Sequence, residues 1–568
     1  MWPFTPSNAP VVAAKRAERA QGLADIPALD EAQSSIVKAT IAEIVAHIES
    51  GEWTATQVLE AYLARAAFAQ AKTNCLTEIM AGSARERAAH LDAEFAATKK
   101  LVGPLHGIPV SIKDQIEIEG YDAAVGFSQW ANKPATKNAD VIKQLLDAGA
   151  VLYVKTNIPQ TMFAFECSNP IWGRTTNPWN ENYTCGGSSG GEGALIAMDG
   201  SPVGIGTDIG GSLRIPAAYC GIFSLKPAAG RVSYHGARGP VPGFDGIVSV
   251  AGPMARSVKD LEIVARTLFG GPSTTDYIPP LPFREVSIPK KLKFGYYTSD
   301  NFIKASPACK RAVVETVEAL RKAGHECVEF EIPDSYIPFN LFAGITSSDG
   351  YKTMLSHLGP DKKENALWLV TTGPRLPGFI RSFLAWSMET FFNDTLFSKA
   401  MRITKEKTVG EYWNLLSQKQ AYVERFYQEI WEGQGFDGII APVQAVPQLP
   451  HGGCDNFSAL AEATILYNVL DLPVGCLPVT RVDPAKDQLT EEWVTGPGLG
   501  SPLLEAGIYR GKKPIYNPEA SKGMPVNIQI AGKKWEEEKL LKIMEVVDEA
   551  LGKGRGFGPG SWDLHNRV

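Results

Sequence analysis

The feature that most constrains this chain is a dense cluster of glycines near its middle. Ten glycines fall between Cys185 and Ala218, in CGGSSGGEGALIAMDGSPVGIGTDIGGSLRIPAA. Ordered glycine loses more conformational entropy than any other residue, so such a cluster indicates tight turns or backbone that approaches a ligand closely. The apolar runs at 194–198 and 203–206 need a hydrophobic core, which argues against a flexible linker. We therefore predict a rigid, packed segment.

Short apolar runs alternate with helical patterns along the rest of the chain. This alternation is typical of an α/β protein with a largely parallel or mixed sheet. No internal repeat or low-complexity linker divides the sequence, so we expect one large domain. The predicted strands are 107–115, 151–157, 202–208, 292–298, 326–332 and 437–443, and the predicted helices are 140–150, 308–325 and 408–436.

The N-terminal region has a different pattern. Residues 1–30 are rich in Ala and Pro and are expected to be loosely structured, whereas residues 34–71 carry apolar side chains at helical spacing. We therefore divide the chain into an N-terminal helical arm, residues 1–71, and a main domain, residues 72–568.

Composition and charge exclude several classes of protein. The net charge of −6 argues against nucleic acid as a partner, since phosphate binding needs a basic surface. The eight cysteines are scattered, without zinc-type spacing, so neither a disulfide framework nor a metal site is predicted. The sequence shows no signal-peptide pattern and no apolar stretch of about 18 residues that could span a membrane. We expect a cytoplasmic protein.

Two serine-containing motifs in the glycine cluster could supply a nucleophile. Residues 186–190, GGSSG, match the G-x-S-x-G elbow, but the polar NENYTC before them is unlike the apolar strand that precedes an elbow. His106 and His235 lie in segments typical of loop or packing histidines, so a Ser–His–Asp triad is not indicated. The turn DIGGS, 208–212, could instead form an anion-binding nest of backbone amides. Ser212 could then attack a carbonyl while the nest binds the oxyanion; the alternative is a structural turn.

A serine nucleophile needs a base, and Lys113 in VSIKDQ is the candidate. A lysine among apolar strand residues is desolvated, which lowers its pKa towards that of a usable neutral amine. The alternative is an ordinary surface lysine, the commoner position for this residue type. The residues alone leave both alternatives open.

Together these segments resemble the amidase signature family. GPLHGIPVSIKD (103–114) resembles its lysine strand, and CGGSSGGEGA (185–194) and GIGTDIGGSLRIPAA (204–218) resemble its Gly/Ser-rich signature. Weaker agreement extends to the end of the chain, at 436–443, 466–479 and 525–532. The resemblance implies an α/β fold with a central mixed β-sheet covered by helices on both faces, and it makes 72–568 the catalytic domain.

The resemblance also assigns roles to individual residues. The base falls on Lys113, the bridging serine, which follows a cis peptide in the family, on Ser188, and the acyl-forming nucleophile on Ser212. The oxyanion site falls on the backbone amides of Ile209, Gly210, Gly211 and Ser212. No metal or organic cofactor is implied.

Within the family, the chain is most similar to eukaryotic fatty acid amide hydrolases and fungal acetamidases. TNIPQTMFAFECSNPIWG (156–173) resembles the former, which implies that Met162 contacts substrate, and we expect Phe163 to line the same channel. Residues 376–397 resemble, less closely, the membrane-contacting segment of those hydrolases. This segment is expected to touch a membrane surface peripherally, to form a homodimer contact, or to be buried in the core.

The expected function is hydrolysis of carboxylic acid amides, with hydrophobic or fatty acyl amides as the small-molecule substrates. Short-chain acetamides, carbamates and esters remain alternatives, because an acyl-enzyme serves them as well. Two further alternatives are a transamidosome-type subunit that supplies ammonia to a partner and a non-catalytic scaffold. The presence of Lys113, Ser188 and Ser212 disfavours the scaffold.

Overall fold

An eleven-stranded sheet forms the centre of the computed structural model, which describes residues 7–274, 278–496 and 498–566. The strand order is β1-β3-β2-β6-β8-β7-β12-β13-β11-β9-β10, and β4 and β5 form a separate hairpin. The strands are β1 Leu76–Ile79, β2 Pro109–Lys113, β3 Val151–Thr156, β4 Ser168–Asn169, β5 Gly173–Arg174, β6 Val203–Asp208, β7 Phe223–Lys226, β8 Val250–Ala255, β9 Lys293–Tyr296, β10 Glu326–Glu329, β11 Gly438–Pro442, β12 Val474–Arg481 and β13 Pro525–Ala531.

Helices flank this sheet. A π-helical turn, Tyr427–Glu432, continues the long helix α16. The helices of the described residues are α1 Ala9–Ala24, α2 Glu31–Val37, α3 Ile41–Ser50, α4 Ala55–Thr73, α5 Ala81–Thr98, α6 Asp140–Asp147, α7 Gly190–Ala197, α8 Arg214–Cys220, α9 Val258–Leu268, α10 Pro307–Lys322, α11 Tyr336–Thr346, α12 Lys352–Ser356, α13 Trp368–Thr372, α14 Gly378–Phe392, α15 Thr395–Ile403, α16 Val409–Phe426, α17 Cys454–Phe457, α18 Glu462–Val469, α19 Glu491–Val494, α20 Pro502–Tyr509, α21 Glu537–Leu551 and α22 Ser561–Asn566.

The sheet is mixed, as predicted. β2 pairs in parallel with β3 and β6, and β9 pairs in parallel with β10 and β11. The remaining neighbours, from β6 through β8, β7, β12 and β13 to β11, are antiparallel, as are β1 and β3. All residues of β2, β3, β6, β8, β11 and β13 are buried. Because successive side chains point to opposite faces, helices must cover both faces of the sheet.

The expectation that residues 1–30 are loosely structured is wrong for most of that region. Helix α1 spans Ala9–Ala24, while residues 1–6 lie outside the described residues. Buried Lys15 anchors this helix through ion pairs with Glu78 and Asp122. The partners of this lysine are more than 60 residues away, so local composition did not reveal the helix. The division at residue 71 stays a prediction, although α3 and α4 bury side chains in the main core.

Two parallel strands position the glycine-rich turn beside the lysine. β2 ends at Lys113 and β6 ends at Asp208, and the two strands are neighbours in the sheet. The carboxyl ends of neighbouring parallel strands meet at one edge of a sheet, where α/β proteins commonly place their ligands. The turn at 209–213 therefore lies at that edge, between β6 and α8.

Candidate active site

Lys113 lies wholly inside the protein. Its Nζ is 2.8 Å from Ser188 Oγ and 2.7 Å from Thr207 Oγ1. Thr207 Oγ1 is in turn 2.7 Å from Gln115 Oε1. We call these four side chains, Lys113, Gln115, Ser188 and Thr207, the lysine network.

The hydrogen bonds of the lysine network have a defined donor-to-acceptor direction. Gln115 Nε2 donates to Tyr234 Oη and to the Arg238 carbonyl, so Oε1 of the same amide faces Thr207 as an acceptor. The Thr207 hydroxyl must then donate to Gln115, and its oxygen accepts from Lys113. A neutral amine oriented in this way can direct its lone pair at the hydroxyl of Ser188. The geometry is therefore that of a base and its proton donor.

Burial lowers the pKa of Lys113 to about 7, against the opposing influence of the Asp208 carboxylate. Desolvation penalises the charged ammonium, and in the described residues no carboxylate forms an ion pair with this lysine to offset that penalty. A substantial fraction of Lys113 is therefore the neutral amine at neutral pH.

Ser188 and Ser212 lie on two neighbouring segments of the chain. Ser188 follows a cis peptide bond at Gly187, as the family resemblance implied, and it is buried. Ser212 is 8% exposed and lines a cavity. The amide of Ser189 donates to the Ser212 carbonyl over 3.2 Å, which ties the two segments together. No hydrogen bond joins the Ser188 and Ser212 hydroxyls in the described part of the chain, so a relay between them requires a side-chain rotation.

The Asp208 carboxylate organises the turn that carries Ser212. It accepts hydrogen bonds from the amides of Gly211, at 2.8 Å, and Leu213, at 3.1 Å. The Gly211 amide, predicted as an oxyanion donor, is thus already occupied. Within the described residues, the amides of Ile209, Gly210 and Ser212 have no acceptor, so three of the four expected donors are free. These three amides can bind a negatively charged oxygen.

The same carboxylate is held ionised. Arg214 donates to both oxygens of Asp208, and Asn468 Nδ2 donates to Oδ1 over 2.8 Å. Burial alone would raise the pKa of Asp208, but the ion pair with Arg214 and these hydrogen bonds lower it to about 2. The turn therefore keeps its anchor across the physiological pH range.

Helix α18 supports the turn from the other side. Thr464 Oγ1 donates to the Gly210 carbonyl over 2.6 Å. A Cβ atom at Gly211, whose φ is +124°, would collide with the Thr464 side chain. Gly211 is thus required both by its backbone conformation and by the close approach of α18.

An apolar cavity opens onto Ser212, with about 690 Å³ of empty space when the solvent at its open side is included. We call it the inner cavity. Of the predicted site residues, Met162, Phe163, Ile209 and Gly210 line this cavity, whereas Lys113, Ser188 and Gly211 do not; their contact with substrate stays a prediction. The Phe163 ring stacks on Phe342 at 6.1 Å between centroids. The remaining wall is formed by Ala164, Phe165, Gly187, Ile215, Phe339, Ala343, Thr346, Tyr351, Val370, Ser458, Ala459, Ala461 and Ile465.

A second cavity, the outer cavity, adjoins the first and has about 540 Å³ of empty space when open solvent is included. The two share wall residues that include Tyr351 and Val370. The outer cavity reaches Phe397 and Met401 on α15, a helix that packs against α14. The two neighbouring cavities thus lie in succession from Ser212 towards residues 376–397.

Comparisons with known proteins show the family of this chain. The amidase family model matches residues 57–541. This chain belongs to the amidase signature family. It is 34% identical to an acetamidase of Emericella nidulans over 92% of this chain and 91% of the relative. It is also 34% identical to fatty-acid amide hydrolase 1 of Sus scrofa, over 90% and 86% of the two chains. A solved fatty acid amide hydrolase is similar with a TM-score of 0.78 at 26% identity, covering 97% of this chain and 92% of that one.

The amidase site contains functional candidates that the sequence reasoning missed. Thr207 and Gln115 orient Lys113, and Asp208 with Arg214 fixes the Ser212 turn. Sequence position offered a signal for three of these four residues: Gln115 is two residues after the lysine, and Asp208 and Arg214 border the glycine turn. Neither His106 nor His235 lines the inner cavity. In the described residues, no group of three His, Cys, Asp or Glu side chains could hold a metal ion.

Proposed function

We propose that this amidase hydrolyses hydrophobic, fatty acyl amides through an acyl-enzyme on Ser212. The observation that carries the proposal is the apolar inner cavity that ends at Ser212 beside three unoccupied amides. The amide group of a substrate would be placed at the serine end of this cavity, where the three unoccupied amides lie.

The mechanism follows from the directions of the hydrogen bonds. Neutral Lys113 accepts the proton of Ser188, and Ser188 accepts the proton of Ser212 as Ser212 Oγ attacks the carbonyl carbon. The amides of Ile209, Gly210 and Ser212 stabilise the oxyanion. The proton returns through Ser188 to the leaving nitrogen, the C–N bond breaks, and the amine departs. Water then attacks the acyl-enzyme and releases the carboxylic acid.

This mechanism requires the hydroxyls of Ser188 and Ser212 to come within hydrogen-bonding distance. Catalytic hydrogen bonds commonly tighten only when substrate is bound, so their separation in the structure is compatible with the relay. A change of side-chain rotamer at the serines is the movement that the proposal requires.

The substrate class follows from the two cavities. Each methylene transferred from water to an apolar site contributes about 0.8 kcal/mol. A long acyl chain that fills the inner cavity and extends into the outer cavity would therefore bind far more tightly than an acetyl group. Short-chain amides, carbamates and esters are the alternatives that the experiment below distinguishes.

The outer surface near these cavities supports a peripheral membrane contact through residues 376–397, which we call the apolar segment. In α14 only Ala385 is buried, so the helix is not a core element. Its exposed aromatic side chains are Phe379, Phe383, Trp386, Phe391 and Phe392. Such a surface is typical of a helix that lies in the lipid interface, and a homodimer contact is the competing use.

No helix in the described part of the chain is long and apolar enough to cross a membrane. We propose a cytoplasmic location with reversible attachment to the membrane surface. The support is chemical: the eight cysteines are buried and form no disulfide among the described residues, as expected in a reducing compartment.

The test is a series of straight-chain primary amides from two to about eighteen carbons. We expect kcat/KM to rise by at least tenfold between the two- and ten-carbon amides and to level off once the acyl chain fills both cavities. Each substrate is assayed below its aggregation concentration so that micelles do not distort the comparison. If acetamide is the best substrate, the amidase acts on short chains and the cavity proposal is wrong.

A further inference from the structure

A buried carboxyl group that the mechanism does not use lies next to the lysine network. Glu192 is the third residue of α7 and has no exposed surface. Ser111 Oγ donates to Glu192 Oε2, and Thr156 Oγ1 donates to Oε1 over 2.8 Å. Both carboxyl oxygens are therefore placed by hydroxyl groups of the central sheet.

Strand geometry brings this carboxyl to the face of the sheet that carries Lys113. Ser111 is two residues before Lys113 on β2, so the two side chains point to the same face. Thr156 on β3 is the register partner of Lys113. On the other side, Gly204 of β6 is the register partner of Ser111, and a Cβ atom there would collide with Glu192 Oε2. The absence of a side chain at Gly204 thus makes room for the carboxyl group.

Lys113 is the one cation that acts on the Glu192 carboxyl in the described part of the chain. Burial raises the pKa of Glu192 to about 7, and burial lowers the pKa of Lys113 to about 7. The two groups have no ion-pair contact, and their interaction acts through space in a medium of low dielectric. Their protonation states are therefore coupled.

Other titratable groups face this pair from neighbouring elements. Asp208, Asp114 and Cys167 act on Lys113. Asp208 is neutralised by its ion pair with Arg214. Burial raises the pKa of Asp114 to about 6. On the Glu192 side lie Cys75 and Tyr153, whose pKa values are raised by burial so that both groups stay neutral.

We propose that Glu192 is a positioning residue that shares one proton with Lys113, so that its carboxylate form stabilises the Lys113 ammonium and thereby sets the pH at which Lys113 becomes a base. The inference rests on the proposed role of Lys113. The pair binds one proton in two ways, as carboxylic acid with amine or as carboxylate with ammonium, and only the first leaves a lone pair for Ser188. A protonated Glu192 removes the negative charge that would otherwise stabilise the ammonium form.

The experiment is the pH profile of kcat/KM for Glu192→Gln, measured with one soluble amide. Glutamine retains the shape of the protonated carboxyl group and cannot become negative, so the ammonium form of Lys113 loses a stabilising partner at every pH. We expect the acid limb of the profile to move to lower pH by roughly half to one unit and to fit a single ionisation. The ratio of activity at pH 6 to activity at pH 9 should rise by roughly threefold or more.

A second variant tests the same idea without changing Glu192. Ser111→Ala removes a hydrogen bond that favours the carboxylate form, so Glu192 should remain protonated to higher pH. The acid limb should move in the same direction as for Glu192→Gln, by a smaller amount. The matched control is Glu166→Gln, since Glu166 is also buried but binds the Gly452 amide and Arg174 instead. Its acid limb should coincide with that of the wild-type enzyme.

The proposal is overturned if both the Glu192 and Ser111 variants retain the wild-type acid limb, which would make Glu192 a purely structural residue. A limb that moves to higher pH in Glu192→Gln would equally contradict it. Failure of the substrate proposal would be seen differently, as a preference for acetamide. The position of the acid limb would still test the role of Glu192 in that case. Should Glu192→Gln fail to fold, Ser111→Ala alone decides the question.

Discussion

The solvent exposure of Lys113 and that of Phe383 are the reverse of what is usual for a lysine and a phenylalanine. The lysine is fully buried, whereas the phenylalanine on α14 is 60% exposed. The polar side-chain atoms around this lysine have hydrogen-bond partners within the protein: Lys113 bonds Ser188 and Thr207, and Thr207 bonds Gln115. The exposed aromatic rings of the apolar segment contact one another, Phe383 with Trp386 and Trp386 with Phe391.

The difference teaches how each region relates to function. A buried polar network is stable when its hydrogen bonds are satisfied, so the lysine network is complete without any other molecule. An exposed aromatic surface lowers its free energy by leaving water, so we expect the apolar segment to bind a partner outside the protein. We infer that the first region serves chemistry and propose that the second serves attachment.

The largest expected effect is at the nucleophile. Ser212→Ala should lower turnover by roughly 1,000-fold or more and abolish labelling by fluorophosphonates, because Ser212 lines the inner cavity and carries one of the unoccupied amides. The change removes a single oxygen, so the melting temperature should stay close to that of the wild-type enzyme. Ser458→Ala, in the wall of the same cavity, should still be labelled. Labelling of Ser212→Ala at the wild-type rate would place the nucleophile elsewhere.

The next effect tests the lysine network. The wild-type activity should rise with pH through about 7 as Lys113 loses its proton, and Lys113→Ala should remove most of the activity and of that dependence. The same should hold for Lys113→Met, which fills the space of the lysine more closely. Near-normal turnover of either variant at neutral pH would mean that the base is another group.

Replacing Lys113 should lower activity but raise the stability of the folded protein. The folded-state pKa of Lys113 lies below its unfolded value of about 10.4, so between pH 7 and 10 the unfolded chain binds a proton that the folded chain lacks. Lys113 therefore lowers the free energy of unfolding at pH 7, and this deficit shrinks as the pH rises to 10. Thermal melts should show Lys113→Met to be more stable than the wild-type enzyme at pH 7, with a smaller difference at pH 10. Equal differences at both values would contradict the depressed pKa.

A smaller effect is expected at Thr207. Thr207→Val keeps the shape of the side chain but removes the acceptor that orients Lys113, so kcat should fall by roughly tenfold. Thr316→Val is the matched control, since Thr316 is buried in α10 and bonds only the Ala312 carbonyl. Both variants should lose similar stability, but only Thr207→Val should lose activity. Equal activities would show that Thr207 does not orient the base.

The smallest effect on chemistry should come from the apolar segment. Replacing Phe383 and Trp386 by serine should weaken binding to liposomes several-fold, while hydrolysis of a short soluble amide continues. The control replaces Val409 and Trp413, exposed on α16, by serine, and liposome binding should persist. If the first variant instead changes the oligomeric state, the apolar segment is a dimer contact.

Sequence patterns predicted the α/β fold and the position of the site because both depend on local signals. Strand alternation and the glycine-rich turn are visible within short windows, and the family resemblance connected Lys113 with Ser212. The occupied Gly211 amide and the role of Thr207 were not predictable, because each depends on which acceptor lies within about 3 Å. Helix α1 was missed for a related reason, since its buried lysine is paired with residues of distant segments.

The support that α18 gives to the Ser212 turn has a consequence for synthesis of the protein. Thr464 and Asn468 are separated from the residues they hold by 254 and 260 positions. A chain still emerging from the ribosome, or one cleaved before residue 464, has the serine but lacks the contacts that shape the turn around it. We therefore expect hydrolytic activity to appear only after the α18 segment has been synthesised and has folded onto the turn.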